Sequence, residues 1–325
     1  MKRTKQIVLG AAIMTACVAA TAYAQPYPTK PIRFIVPFVP GGGTDITGRA
    51  IAQQLSEAFG KTVVVDNRGG AGGVIGADIV AKAVPDGYTL LLGSPGPLTI
   101  NPNLQAKMPY DTLRDFAPVS LATISPFILV VHPSTGVSSV KELIAAAKAK
   151  PDALNYGSAG NGSVAHLSAE QFKAIAGVQL THVPYKGSSQ AMVDLLSGRL
   201  HLMFENLPIV LPHIRSGKLK ALAVGTRKRS SLLPEYPTMI EAGVPGYESS
   251  TAFGVLAPGK TPRAIVNRIS AEIAKVLQGA GDLKDNLAAR GFEPVGSTPE
   301  EYAAHLRDEL KRVAEVVKRA HIRLE

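Results

Sequence analysis

Three loops of this chain combine glycines, hydroxyls and a following helix start, a combination suited to receiving a small anion. The first is Pro37-Phe38-Val39-Pro40-Gly41-Gly42-Gly43-Thr44-Asp45, which joins an apolar run to an amphipathic one. At such a junction the free N–H groups of the helix's first turn and the positive end of its dipole point at one small region. A tight strand-to-helix turn also wants glycine for its own sake, so the glycines alone do not decide the use. The second loop, Tyr156-Gly157-Ser158-Ala159-Gly160-Asn161-Gly162-Ser163, offers two hydroxyls and a backbone that a ligand can approach closely. Ser163 also suits the N-cap of the next helix, and the two roles are compatible because both lie at the same helix end. His166, one turn in, reads either as a helix-face histidine or as a ligand contact. The third loop, Leu92-Gly93-Ser94-Pro95-Gly96-Pro97, has a serine donor but two prolines without N–H, and reads as a turn with a supporting contact. Neutral donors of this kind suit a carboxylate without arginine. The cations nearest in sequence, Arg49 and Arg68, read as packing or surface pairs.

The parts of a catalyst are missing. G-x-S-x-G does not occur, and the seven histidines include no H-x-x-x-H pair. The single cysteine, Cys17, lies near the N-terminus and leaves the rest of the chain without a thiol. No catalytic residue, metal site or cofactor is therefore expected.

The elements that position these loops follow from periodicity. Ile32–Phe38, Thr62–Asp66 and Tyr88–Leu92 are short apolar runs separated by amphipathic stretches, the first with Ile46, Ala50, Ile51, Leu55 and Phe59 on one face. Thr44 or Asp45 is its expected cap. The same alternation returns at Leu154–Ser158, Val178–Val183, Leu200–Phe204 and Leu219–Val224. Strand–helix alternation predicts an α/β fold of mainly parallel sheets flanked by helices, and two successive wraps predict two domains. Phe116–His132 reads as two extended stretches broken at Ser125-Pro126. Ser139-x-x-Glu142 and Thr298-Pro299-Glu300-Glu301 mark helix starts, and Phe253–Leu256 a further strand. A surplus C-terminal segment, with helices over Pro262–Leu277 and Pro299–Ala320, is expected to return to the first domain.

Residues 1–24 read as a secretory leader: Lys2, Arg3 and Lys5, an apolar stretch from Ile7 to Thr21, then Ala22-Tyr23-Ala24. About 15 apolar residues fall short of the roughly 20 that span a bilayer. Met14-Thr15-Ala16-Cys17 makes a poor lipoprotein box beside the better A-x-A site, so no lipid anchor at Cys17 is expected. The formal charge is +10, and the leader carries three of its cations. The remaining cations form no stripe, which argues against nucleic acid, while a mild positive field favours anionic small molecules.

Motifs spanning the chain resemble one family. Tyr27-Pro28-x-Lys30-Pro31-Ile32-Arg33, Val36-Pro37-Phe38-x-Pro40-Gly41-Gly42-Gly43-Thr44-Asp45, Val65-Asp66-Asn67-Arg68, Pro85-Asp86-Gly87-Tyr88-Thr89-Leu90, Asn155-Tyr156-Gly157-Ser158 and His182-Val183-Pro184-Tyr185-Lys186-Gly187 occur in order. They look like the Bug family of tripartite tricarboxylate transporter receptors. The resemblance implies a type II periplasmic binding protein, a two-domain Venus flytrap with two crossovers. Its parts would be domain 1 over 25–125 plus 226–325 and domain 2 over 126–225, acting as a periplasmic monomer. It would hold a di- or tricarboxylate, an amino-dicarboxylate or an aromatic acid for inner-membrane permease subunits, mainly through backbone amides and bridging waters. The matching ligand positions are Phe38, Gly41, Gly42, Gly43, Thr44 and Asp45 in the first loop and Ser94 at the cleft edge. Ser158, Ala159, Gly160, Asn161, Ser163 and His166 match the second-domain loop, and Tyr185 and Glu205 match positions near the mouth. Two departures bear on ligand choice. The family commonly has aspartate where Glu205 stands and a tryptophan near Thr251-Ala252-Phe253, whereas this chain has no tryptophan. The competing functions are a ligand-presenting partner of a membrane sensor kinase, with the same cleft, and a secreted hydrolase.

Overall fold

The apolar runs fold as strands in a computed structural model that describes residues 27–230, 232–279, 282–319 and 322. The leader and Cys17, with the cleavage and anchor readings, lie outside the described residues. Strand β1 (Ile32–Val36) runs parallel to β2 (Val63–Asn67) on one side and β3 (Thr89–Gly93) on the other. Its side chains alternate between two cores, as period-two geometry requires. Ile32, Phe34 and Val36 enter one with Leu90 and Leu92, while Ile35 and Leu91 enter the other. Helix α1 (Gly43–Phe59) covers the first face with Ile51, Ala52 and Leu55, and α2 (Val74–Ala81) covers the second with Val74, Ala77 and Val80. After β3 the chain makes a π-helical turn over Gly96–Ile100 and a short helix α3 (Asn101–Leu104).

Strand β4 (Phe116–Val131) is continuous, where a break at Ser125-Pro126 was expected. Up to Pro126 it pairs antiparallel with β9 (Ser250–Pro258), which also pairs with β3; from Phe127 it pairs antiparallel with β7 (Leu202–Asn206), and from Ile128 with β8 (Lys220–Val224). Pro126 stands at this change of partners, where a strand tolerates a residue without N–H. The second sheet continues from β7 through β5 (Asn155–Ser158) to β6 (Thr181–Pro184), now parallel. Parallel pairing thus belongs to the outer strands of each sheet, and the strand that joins the sheets pairs antiparallel.

Helices again cover both faces. On one, α4 (Val140–Ala149) and α5 (Val164–Ala176) bury Leu143 and Phe172 with Tyr156, Leu202 and Phe204; on the other, α6 (Ser188–Leu196) and α7 (Leu207–Arg215) bury Leu195 and Val210 with Met203. Met239, Val244 and Tyr247 join the first of these cores, so the stretch 226–249, expected with the first sheet, packs on the second. Helices α8 (Arg263–Gln278) and α10 (Pro299–Arg319) return to the first sheet, burying Ile269 and Tyr302 on its opposite faces. Both expected helix starts form. Ser139 Oγ accepts from Glu142 N at 3.2 Å, and Thr298 Oγ1 accepts from Glu301 N at 3.3 Å. Helix α9 (Asp282–Ala289) and strand β10 (Glu293–Pro294), which pairs with β4, carry no sequence signal strong enough to predict.

Candidate ligand-binding site

A parallel strand followed by a helix leaves the helix N-terminus at the strand's carboxyl end. Here four such ends converge. Gly42, Gly43 and Thr44 open α1, Ser163, Val164 and Ala165 open α5, Ser188 opens α6, and Glu205 and Asn206 lead into α7. Together they line a cleft whose apolar walls include Phe38, Val39, Phe127 and Phe253. Each helix is long enough for its dipole to favour negative charge in front of it, and first-turn N–H groups lack partners within their own helix. Gly43 lies so near Asn206 and Phe253 that a Cβ there would be 3.1 Å from Asn206 Nδ2 and 3.3 Å from Phe253 Cζ.

Four buried side-chain atoms of this cleft have no hydrogen-bond partner: Ser94 Oγ, Glu205 Oε2, Asn206 Oδ1 and Thr251 Oγ1. Leaving such groups unsatisfied costs about 1–3 kcal/mol each, so their gathering in one cavity marks a place for a polar ligand. Glu205 is the one ionisable residue in the lining. Burial pushes its carboxyl above the usual carboxylate range, against the opposing pull of Ser188 and the Asn206 N–H groups.

Both lips of the cleft touch. Ser189 Oγ donates to Pro40 O at 2.9 Å, and Asn101 Nδ2 donates to Gly162 O at 3.1 Å and to Gly96 O at 2.9 Å. The approach at the second lip is so close that a Cβ on Gly162 would stand 2.2 Å from Asn101 Oδ1.

The comparisons with known proteins agree with this geometry. The sequence model of the tripartite tricarboxylate transporter family receptor matches residues 47–322. This chain belongs to that family. Protein BugT of Bordetella pertussis is 42% identical over 318 residues, 98% of this chain and 97% of that protein. Among solved structures, R. palustris Rpa4515 with adipate shares 42% identity at a TM-score of 0.88, covering 91% of this chain and 99% of that one. MatC from Rhodopseudomonas palustris with bound malate shares 31% identity at a TM-score of 0.86, covering 90% of this chain and all of that one. The fold of this receptor is accordingly that of the periplasmic binding proteins.

Within this receptor the residues singled out from sequence separate into two groups. Phe38, Gly42, Gly43, Thr44, Ser94, Ala159, Ser163 and Glu205 line the cleft. Ser163 is also the N-cap of α5, its Oγ accepting from His166 N at 3.3 Å, so the expected cap forms at a residue that lines the cleft. Gly41, Asp45, Ser158, Gly160, Asn161, His166 and Tyr185 are not in its lining, and Gly160, Asn161 and Tyr185 line an adjoining surface pocket with Ala159. Neither Thr44 nor Asp45 caps α1, whose N-cap is Gly42 without a side-chain bond. Asp45 instead receives Gly41 N at 3.0 Å, Arg49 Nε at 3.0 Å and Asn67 Nδ2 at 2.9 Å. Burial pushes its carboxyl up, but these bonds outweigh it and hold it below the usual range. Arg68 pairs with Asp66, so both cations are structural, as expected. Ser158 Oγ meets His182 Nε2 at 2.7 Å and accepts from Gly160 N at 3.0 Å. His166 stacks on His182, and its Nδ1 accepts from Gly162 N at 3.2 Å. Burial first, and His166 second, push His182 down to about 4. The Tyr185 hydroxyl donates to Asp194 at 2.6 Å. This second group shapes the two loops and does not face the cavity.

Sequence reasoning missed Val39, Gly96, Phe127, Val164, Ala165, Ser188, Asn206 and Thr251 as cleft residues. Ser188, after Lys186-Gly187, and Asn206, before Leu207-Pro208, had the form of helix starts. Phe127 and Thr251 carried no local signal, since only the strand crossing brings them to the cleft.

Proposed function

We propose that this receptor is exported through a cleaved leader, captures a small carboxylate in its cleft and delivers it to membrane subunits of a tripartite transporter, catalysing no reaction. The observation that carries this reading is the convergence of four helix N-termini on one cavity whose lining has no basic side chain. Such a site takes its anion-binding power from backbone donors. The adipate and malate held by two relatives of the same fold support a carboxylate as the bound group. Backbone donors of Gly42–Thr44 and Ser163–Ala165 would hold one carboxylate, with Ser94 and Glu205 reading the rest of the molecule. No helix of the described residues is long and apolar enough to cross a membrane, which fits a protein that depends on separate membrane subunits.

We further propose two domains that rotate about Phe127, Gly225 and Ser249. There the two crossing segments are bonded to each other, Phe127 N to Ser249 O at 3.3 Å and Gly225 N to Phe127 O at 2.7 Å. The division consistent with the cores is 127–249 against the remainder.

A thermal-shift panel of adipate, malate, citrate, aspartate and benzoate tests the reading. A ligand at a hundred times its Kd adds about 2.7 kcal/mol of stability. The acid that stabilises most is then compared by calorimetry with its methyl ester. The acid should bind far more tightly, and equal affinity would overturn the anion site.

A further inference from the structure

Glu205 is fully buried, and its two oxygens have unlike surroundings. Oε1 accepts from Asn206 N at 2.7 Å and from Asn206 Nδ2 at 3.1 Å. Oε2 makes no hydrogen bond of ordinary geometry, the Ser188 hydroxyl also bears on the carboxyl, and both residues line the cleft. An ionised carboxylate so placed would be a buried charge with half its capacity unmet and no cation beside it.

The elements packed around Glu205 bring no compensating charge. Opposite it on β4 stands Ile128, β4 and β5 carry no carboxyl, amine, guanidinium or imidazole group, and α7 has His213 and Arg215 only in its last turn. On β8, Lys220 pairs with Val131 at the far end of β4 and is exposed. Asp194 of α6 is turned to Tyr185 and Arg199. From α5, His166 is turned to Gly162 and His182, and Glu170 to Tyr156 and Lys173. Asp45 of α1 is turned to Gly41, Arg49 and Asn67.

A neutral acid fits these surroundings. Its carbonyl-like Oε1 takes both Asn206 N–H groups, and its Oε2–H is a donor that needs an acceptor from the cleft. Building on the carboxylate reading above, we propose that Glu205 binds the ligand in its protonated form, donating Oε2–H to a carboxylate oxygen, so that above the free-state pKa of Glu205 each anion is captured together with a proton. The effect of burial on Glu205 runs the same way. A bound anion disfavours the ionised form further, so the pKa of Glu205 rises on binding. Affinity is then greatest below the free-state pKa and falls as pH rises between the two values, by up to about tenfold per pH unit.

The test is calorimetric titration of adipate into the exported protein, in two buffers of unlike ionisation enthalpy, from mildly acidic to mildly alkaline pH. Wild type should take up protons on binding and lose affinity as pH rises. Glu205→Gln keeps the Oε1 acceptor and puts an N–H in place of Oε2–H, so it should bind with no proton uptake and a flat pH profile. Binding by wild type without proton uptake at any pH in the range, or with proton release, would overturn the proposal, as would unchanged uptake in the Gln variant. If adipate is not the acid chosen by the thermal panel, the same titration with the chosen acid decides. Absence of binding by every acid would instead defeat the carboxylate reading and this proposal with it. Should Glu205→Gln fail to fold by circular dichroism, the wild-type proton count and Glu205→Asp carry the test.

Discussion

His182 and Gly43 illustrate what single residues do on either side of the cleft wall. His182 is stacked between Tyr156 and His166 and bonded to Ser158, with its pKa pushed from 6.5 down to about 4 by burial and by His166. The folded protein thus binds fewer protons at this site than the unfolded chain. The contribution is fully present above about 6.5 and is lost as pH falls toward about 4. Melting temperature should drop through that window, and His182→Gln should flatten the drop; an equal slope in the variant would show that other groups carry it. Gly43 is different, because a Cβ there would press on Asn206 and Phe253 in the cleft wall. Gly43→Val should abolish binding of the panel's best acid and also lower the melting temperature, since the new side chain crowds these two buried residues. Retained affinity would place the ligand elsewhere.

The elements explain how donor-rich loops are held open toward one space. Ser158, Gly160, Gly162 and His166 bond among themselves and fix the second loop before α5 begins, so the free N–H groups of α5 face the cleft. The π-helical turn after β3 puts Asn101 where it joins Gly96 to Gly162 across the lip. This bond spans the two lips of the cleft. Asn101→Ala removes roughly 0.5–1.5 kcal/mol of it, a loss of about 2- to 13-fold in affinity. Stopped-flow fluorescence of a labelled lip should place most of that loss in faster release. Ser163→Ala should cost about 0.5–2 kcal/mol through the lost cap, read as a lower melting temperature, with binding reduced only modestly because the backbone donors remain.

At the scale of the whole molecule, two crossing segments are the only backbone route between the sheets among the described residues, and the lips add few bonds. A ligand that touches both sides binds the closed form better, and that difference alone can shift the equilibrium. Small-angle scattering should show a smaller radius of gyration at saturating ligand. Ser163→Phe, which fills the cleft at a helix end, should block both binding and the change. Unchanged scattering in wild type would leave a rigid pocket.

The strands, most helices and the glycine-rich loops at the cleft were legible in the sequence, because period-two and period-3.6 patterns, glycine turns and capping boxes are local physics. Helix α9 and strand β10 were not, since they owe their form to packing against α8 and β4. The division among the candidate residues was likewise beyond local reading. Gly43 and Asp45 lie in one motif, yet one opens on the cleft and the other is bound to Arg49 and Asn67, and only the partners supplied from distant sequence decide which. The same holds for β4. Its apolar pattern predicts extended backbone, but that it passes unbroken through Pro126 depends on a change of partners from β9 to β7 and β8, which no short window of sequence contains.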